Sequence, residues 1–236
     1  MKTSITSNLR PLLRAFYPLL IAIAVLWAMP KNANAQVYVL QINPASGTVS
    51  EYSTKGDLIN ANFITGLNSP AGLALLGNSL FVANAGSVGK YDATTGGAIN
   101  ASFIPGLMSY ALALSNNSLF VAYDGSEHGY TVGEYDATTG AAINANLITG
   151  LNEIFGLAVS DNKLFVCTGT EKKGMFVFTV GKYDVTTGAA ISANFIKGLN
   201  LLAAKSNTLY GLVGVPPTRT RSANTTLSTE PRLALA

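Results

Sequence analysis

A motif of about twenty residues recurs through most of the chain and restricts the possible folds more than any other feature. Three copies are close: VGKYDATTGGAINASFIPGL from Val88, VGEYDATTGAAINANLITGL from Val132 and VGKYDVTTGAAISANFIKGL from Val180. A divergent copy, VSEYSTKGDLINANFITGL, starts at Val49, so successive copies lie 39, 44 and 48 residues apart. Each copy continues into an apolar segment, a polar turn and a segment such as SLFVA. Units of this kind bury their apolar faces by stacking on their neighbours.

Each unit predicts four short strands joined by tight turns. Residues alternate between two faces from Val88 to Asp92, which is the strand period. The segment Asp92-Ala93-Thr94-Thr95-Gly96 predicts a chain reversal, because Asp can accept bonds from nearby amides and Gly adopts positive φ. Gly77-Asn78 predicts a second turn, which recurs at 116–117 and 161–162. The predicted strands of one unit are Leu73–Leu76, Leu80–Val82, Val88–Asp92 and Ile99–Ile104.

Four strands in every 39 to 48 residues are typical of a β-propeller blade. A leucine-rich repeat would have a shorter period, and the Gly, Thr and Asn content of every unit excludes helical repeats. A β-solenoid remains the main structural alternative, although its rungs are normally shorter. We therefore predict an all-β propeller of about four to five four-stranded blades, forming either an open arc or a small ring with an imperfect last blade.

The segment GLAL…NSLFVAN…SVGKYDATTGGAI resembles the blades of NHL, YVTN and SMP-30/gluconolactonase-like propellers. It is most similar to secreted bacterial propeller-repeat proteins, which often carry a PEP-CTERM sorting tail that is not recognisable here. The resemblance covers residues 36 to about 210. It implies a propeller fold and leaves function open, because these families include lactonases, lyases and inactive scaffolds.

The first 35 residues predict a secretory signal peptide. Lys2, Arg10 and Arg14 precede an apolar stretch from Ala15 to Met29, and an Ala-Asn-Ala cleavage site ends at residue 35. This stretch is shorter than a typical membrane span, so an uncleaved anchor is the less favoured reading. We expect an exported protein in the periplasm, at the cell surface or outside the cell, with no transmembrane segment after cleavage.

Charge and cysteine content limit the partners and the means of stabilisation. The chain has 15 basic and 12 acidic residues, and four of the basic ones lie in the predicted signal, which leaves 11 against 12. This balance gives no support for nucleic-acid binding. A single cysteine, Cys167, cannot form an intramolecular disulfide, and we predict a buried structural thiol rather than a nucleophile.

The candidate binding residues lie in inserts between the second and third strands of successive units. This connection holds 4 residues (84–87), then 9 (123–131), then 12 (168–179), and all three copies should emerge on one face of a propeller. Neutral variation in loop length is the alternative explanation, and residues 175–178 could simply extend a hairpin. The candidates in these inserts are Tyr123, Asp124, Glu127, His128, Tyr130, Glu171, Lys172 and Lys173.

Catalytic residues are not evident in the sequence. His128, the single histidine, could in principle serve a triad or a metal, but a lone histidine in a polar loop is usually solvated. Turn formation explains Asp92, Asp136 and Asp184 without a ligand, since they occupy one position in each unit. Glu51, Lys90, Glu134 and Lys182 share another repeat position with alternating sign, which predicts mild charge complementarity between blades.

The last residues do not continue the repeat. After Tyr210 the chain reads GLVGVPPTRTRSANTTLSTEPRLALA, yet the codons for 222–227 could encode VGEYDA in a shifted frame, and 230–234 then allow GAAIS. We infer that 211–236 is an out-of-frame fifth repeat that is disordered or irregular in structure, and that its loss exposes an edge of the propeller. An unrelated Thr/Ser/Pro-rich tail is the alternative. The gene sequence around these codons decides between them.

These observations favour a non-catalytic scaffold that presents one loop face to a protein or a carbohydrate, without a cofactor. The alternative is a metal-dependent hydrolase or lyase of the SMP-30/gluconolactonase type, with a divalent cation such as calcium in the central channel. Carboxylates and amides that differ between blades and converge on the axis would favour the enzyme. The resulting domain prediction is a signal peptide at 1–35, repeats at 36–210 and the aberrant tail at 211–236.

Overall fold

The protein is an open, nearly all-β propeller, as the repeats predict. A computed structural model describes residues 36–41, 46–172, 175–205 and 208–213, together with the backbone of the pair Ile23–Ala24. The helical structure in these segments is a single 3-10 turn, Ser126–His128. None of the described segments forms a helix with the length and hydropathy needed to cross a membrane. Most of the predicted signal peptide and residues 214–236 of the predicted tail lie outside the described residues.

The strands form four antiparallel blades and the beginning of a fifth. Blade 1 contains β1 (Ile23–Ala24), β2 (Gln36–Gln41), β3 (Gly47–Ser53) and β4 (Leu58–Leu67). Blade 2 contains β5 (Gly72–Leu76), β6 (Ser79–Asp92) and the first part of β7 (Ala98–Ser115). Blade 3 contains the rest of β7, β8 (Ser118–Asp124), β9 (Tyr130–Asp136) and β10 (Ala142–Leu151). Blade 4 contains β11 (Glu153–Ser160), β12 (Lys163–Lys172), β13 (Met175–Asp184) and β14 (Ala190–Lys197), and β15 (Leu199–Lys205) pairs with β16 (Thr208–Val213) to begin blade 5.

Two strands are longer than predicted because each contains two strands of the repeat. In β6 the chain folds back on itself, and the Ala93 amide donates to the Asn78 carbonyl at 2.9 Å, as Ala137 does to Asn117 in blade 3. β7 passes from the last strand of blade 2 to the first strand of blade 3 through Gly106, whose φ is +78°. β7 therefore joins blades 2 and 3 into one hydrogen-bonded sheet of six strands.

The glycine and tyrosine of the repeated Val-Gly-Xaa-Tyr-Asp segment have a packing role. The side chain of Tyr91 lies back over Gly89, where an added Cβ would meet the ring at 2.6 Å. Tyr135 covers Gly133 and Tyr183 covers Gly181 in the same way. Glycine thus makes room for an aromatic ring two residues later on the same face of the strand, and that ring is buried in all three blades.

The repeated Asp-Xaa-Thr-Thr-Gly segment forms the predicted turn. Asp92 Oδ1 accepts hydrogen bonds from the amides of Thr94 at 2.9 Å and Thr95 at 2.8 Å, and from the Thr95 hydroxyl at 3.1 Å. Asp136 and Asp184 accept the equivalent bonds in blades 3 and 4. These contacts confirm that turn formation explains the recurring aspartates.

The same turns also join each blade to the one before it. A Cβ added to Gly140, whose φ is +77°, would lie 2.5 Å from the carbonyl oxygen of Phe103 in blade 2. Gly96 approaches the Phe63 carbonyl and Gly188 the Leu147 carbonyl more closely still. Only a residue without a side chain permits these approaches. The final glycine of the turn is therefore a contact between blades as well as part of the turn.

Lysine at the repeat position of alternating charge reaches a backbone rather than a carboxylate. Lys90 Nζ donates to the carbonyl oxygens of Ala137 at 3.0 Å and Thr138 at 3.4 Å, in the turn of the next blade. In blade 1 the Tyr38 hydroxyl donates to the corresponding Ala93 carbonyl. The prediction that opposite charges fit neighbouring blades together is thus wrong for Lys90, because turn carbonyls lie closer to its ammonium group.

The hydrophobic core lies between the blades. One buried cluster joins blades 1 and 2, a second joins blades 2 and 3, and a third joins blades 3 and 4. Phe81 and Val88 of blade 2, for example, share a cluster with Leu119 and Val121 of blade 3. Apolar burial of this kind contributes about 25 cal/mol per Å2, so stacking of blades is the main source of stability.

Candidate functional site

The inserts in blades 3 and 4 have different structures. In blade 3, Asp124 pairs with Tyr130 at the end of the β8–β9 ladder, and the 3-10 turn Ser126–His128 closes the connection. In blade 4, the β12–β13 ladder continues to the pair Lys172 and Met175. Most of the 168–179 insert is therefore an extended hairpin, which confirms the alternative interpretation of its apolar residues.

Two tyrosines and two carboxylates form a cluster at the base of these inserts. The rings of Tyr110 and Tyr130 lie 5.5 Å apart at 52°. Desolvation raises the pKa of Tyr130 to about 12, with smaller contributions from Tyr110, Glu153 and Asp124. Desolvation and Asp124 likewise raise the pKa of Tyr110. We call Tyr110, Asp124, Tyr130 and Glu153 the tyrosine–acid cluster. Its tyrosines remain neutral at physiological pH, are partly exposed and are hydrogen-bonded to each other.

A groove of about 420 Å3 lies between blades 3 and 4, close to this cluster. Thr168, Thr170 and Lys172 line it from alternate positions of β12, as the strand period requires. Asn152 lines it from the connection between the blades. Leu151, which pairs with Tyr130 in the β9–β10 ladder, places the groove beside the tyrosine–acid cluster. The other lining residues are Gly150, Val177, Thr179, Tyr183, Ala193 and Asn194.

On the opposite face of the same hairpin lies a group of phenylalanines. The ring of Phe155 is 5.3 Å from that of Phe176 and 5.0 Å from that of Phe178. Gly169 lies beneath these rings, where a Cβ would meet Phe155 at 2.6 Å. This group fixes the hairpin to β11 and so holds the threonines of the groove in place.

The eight candidate residues fall into distinct environments. Asp124 and Tyr130 belong to the tyrosine–acid cluster, and Lys172 lines the groove. Tyr123 is buried, and its hydroxyl donates to the Ala145 carbonyl at 2.7 Å. The remaining described candidates, Glu127, His128 and Glu171, are exposed, and Lys173 lies outside the described residues.

Sequence reasoning missed most residues of this site. Tyr110 and Glu153 lie on first strands of their blades, outside the inserts that the candidates were drawn from. Thr168 and Thr170 look like ordinary strand residues, and Asn152 resembles the other polar residues between blades. A signal was available for Tyr110 alone, because the repeat places Ala71 at that position in blade 2.

Cys167 has the environment of a structural thiol. Cys167 is completely buried, as predicted, and burial raises the pKa of its thiol to about 12. A thiol with this pKa stays protonated and is a poor nucleophile. Within the described segments, His, Cys, Asp and Glu side chains do not form a group of three or more that could hold a metal ion.

Comparison with solved structures supports the propeller fold. The nidogen/laminin complex contains a chain that aligns with a TM-score of 0.58 at 13% identity, covering 76% of this chain and 68% of that one. A gluconolactonase from Xanthomonas campestris aligns with a TM-score of 0.55 at 13% identity, covering 74% of this chain and 63% of the enzyme. No family model matches the sequence, and a search of curated proteins found no match. At this identity the likeness concerns the fold.

Proposed function

We propose that this protein is an exported, non-catalytic β-propeller scaffold that binds a partner at the insert face of blades 3 and 4. The observation that carries the proposal is the groove of about 420 Å3 beside the tyrosine–acid cluster. Ligand sites combine a concave surface with a few convergent polar groups. The proposed class is that of secreted propeller-repeat proteins with NHL-like units.

A carbohydrate is the partner that best fits the lining of the groove, and a protein segment is the alternative. Thr170 and Asn152 offer hydroxyl and amide groups that can donate and accept hydrogen bonds, as sugar hydroxyls require. The Thr168 hydroxyl donates to the Thr179 carbonyl at 3.4 Å and can still accept a bond. The neighbouring Tyr110–Tyr130 pair is partly exposed, and its exposed ring surface would contact the apolar side of a sugar. Both tyrosines are half-buried, so little side-chain entropy would be lost on binding.

A glycan array followed by calorimetry with the best glycan tests this proposal. We expect Thr170→Ala and Tyr130→Ala to weaken binding at least tenfold, whereas Thr65→Ala, at an exposed position in blade 1, leaves it unchanged. Saturable binding to a protein partner that depends on the same two residues would favour the protein alternative. Binding that is insensitive to both substitutions would contradict the proposed site.

Export is proposed from the signal-like N-terminus. Cleavage after Ala35 would remove β1 and leave a mature chain that starts at Gln36, the first residue of β2. N-terminal sequencing of the protein recovered from the periplasm, the cell surface or the medium tests this. A mature chain that starts at Met1, or one retained in the cytoplasm, would refute it.

A metal-dependent lactonase is the second candidate, favoured by the similarity to the gluconolactonase fold at a TM-score of 0.55. The requirement is a set of carboxylates and amides on the propeller axis, together with a divalent cation such as calcium. Lactone hydrolysis that is abolished by chelation and restored by calcium would replace the scaffold proposal with this one. An absence of turnover with and without calcium would support the scaffold.

A further inference from the structure

The three complete joints between blades share one construction. In each joint, the Asp-Xaa-Thr-Thr-Gly turn of the later blade covers an apolar residue of the earlier blade. The covered residues, Phe63, Phe103 and Leu147, are 6%, 9% and 6% exposed. The isoleucine that follows each of them is also buried. Burial at this position therefore reports the presence of the next blade's turn.

Blade 4 has the apolar residue of such a joint, but this residue is exposed rather than covered by a turn. Phe195 occupies the position of Phe103 and is 40% exposed. Ala158, Phe165, Cys167 and Val180 form a small cluster whose described members all belong to blade 4. Their counterparts in blade 2 lie in a cluster completed by residues of blade 3.

Lys182 lies against two aromatic rings in the same way as Lys90, which binds the turn of blade 3. Its Nζ lies 5.9 Å and 5.0 Å from the ring centroids of Phe165 and Phe195. Lys90 Nζ lies 5.4 Å and 4.8 Å from those of Phe81 and Phe103, and it also donates to two carbonyl oxygens of the blade 3 turn. Lys182 is thus oriented to donate to the carbonyls of a turn after blade 4.

The described part of blade 5 supplies the strand on which such a turn would be built. β15 and β16 correspond to the first two strands of a blade, and they pair through Leu199 with Val213 to Lys205 with Thr208. In blade 3 the second strand, β8, pairs on its other side with β9, which leads into the turn. Within the described residues, β16 pairs with β15 alone. Such a strand edge can template a further strand.

We propose that the Phe195–Lys182 face and the edge of β16 that is unpaired among the described residues together dock a β-hairpin with the repeat's own sequence, Val-Gly-Xaa-Tyr-Asp-Xaa-Thr-Thr-Gly followed by a fourth strand. The hairpin pairs with β16, its turn glycine lies against the Phe195 carbonyl, and its turn carbonyls accept hydrogen bonds from Lys182. The predicted out-of-frame fifth repeat would encode this hairpin. Any chain that carries the same hairpin would serve as well.

A peptide from the protein itself tests the inference. Residues 132–151, labelled with a fluorophore, are titrated with the purified full chain and followed by fluorescence anisotropy. We expect saturable binding, which the Gly140→Ala peptide loses by at least tenfold. In the docked hairpin its new Cβ would meet the Phe195 carbonyl, as a Cβ at Gly140 would meet the Phe103 carbonyl within the protein. In the protein, Phe195→Ala should weaken binding to a similar extent.

The matched control is Ile191→Ala, because Ile191 is 50% exposed on the same strand, β14, and its counterparts Ile99 and Ile143 are exposed in blades that have a following blade. This control should bind the peptide normally.

As a second measurement, the hairpin is fused through a flexible linker after Ala236. The fused hairpin should raise Tm, and a fused Gly140→Ala hairpin should not. The inference is overturned if the peptide does not bind and the fusion leaves Tm unchanged, or if the glycine and alanine hairpins act equally.

Discussion

The glycine at the end of each turn offers a direct test of how the blades are held together. Gly140 and Gly106 have nearly identical φ values of +77° and +78°, so alanine at either position pays the same backbone penalty, about 1–2 kcal/mol. They differ in surroundings: a Cβ at Gly140 would lie 2.5 Å from the Phe103 carbonyl oxygen, whereas a Cβ at Gly106 would meet nothing within 4 Å. Relieving that contact requires blades 2 and 3 to move apart, which adds about 1–3 kcal/mol.

We therefore expect Gly140→Ala to destabilise the protein by about 2 kcal/mol more than Gly106→Ala, or about 5 °C in Tm for a chain of this size. Far-UV circular dichroism during urea and thermal unfolding measures both variants, and unchanged m-values would show that the same transition is compared. Equal losses in the two variants would refute the role of this glycine as a contact between blades.

Three further outcomes follow from individual contacts. Cys167 should resist iodoacetamide in the folded protein and react fully in concentrated urea, because burial raises its pKa to about 12; rapid alkylation of the native protein would contradict its burial. Hydrogen bonds from Thr139 lower the pKa of Asp136 below its ordinary value of 3.8. The contribution of Asp136 to stability is therefore present at neutral pH and is lost as the pH falls below that value. Asp136→Asn should flatten the acid limb of a plot of stability against pH. Lys90→Met should lower the free energy of unfolding in urea by about 1 kcal/mol, because it loses the bonds to the blade 3 turn. Lys163→Met removes a half-exposed ion pair and should cost about 0–1 kcal/mol. A larger loss for Lys163→Met than for Lys90→Met would contradict this ranking.

The fold class could be predicted from the sequence because it depends on local, repeated chemistry. Strand alternation from Val88 to Asp92 and the Asp92–Gly96 turn are encoded in neighbouring residues, and each recurs in three blades. Burial of Cys167 could be inferred because the equivalent positions hold the small residues Ala83 and Ala122. Repetition made these predictions firm, since one interpretation had to hold in every copy.

The joints and the candidate site depend on contacts between residues distant in the chain. The sequence places lysine at residue 90, but only the stacked blades show that its ammonium group meets the Ala137 carbonyl. Tyr110 and Tyr130 meet because β7 and β9 lie in the same blade, although twenty residues separate them. By itself the sequence determined the four-stranded repeat unit and the turns within it, because both depend on neighbouring residues. The tertiary structure decided which surfaces the units share and which one, at Phe195, remains exposed, because burial depends on the next blade.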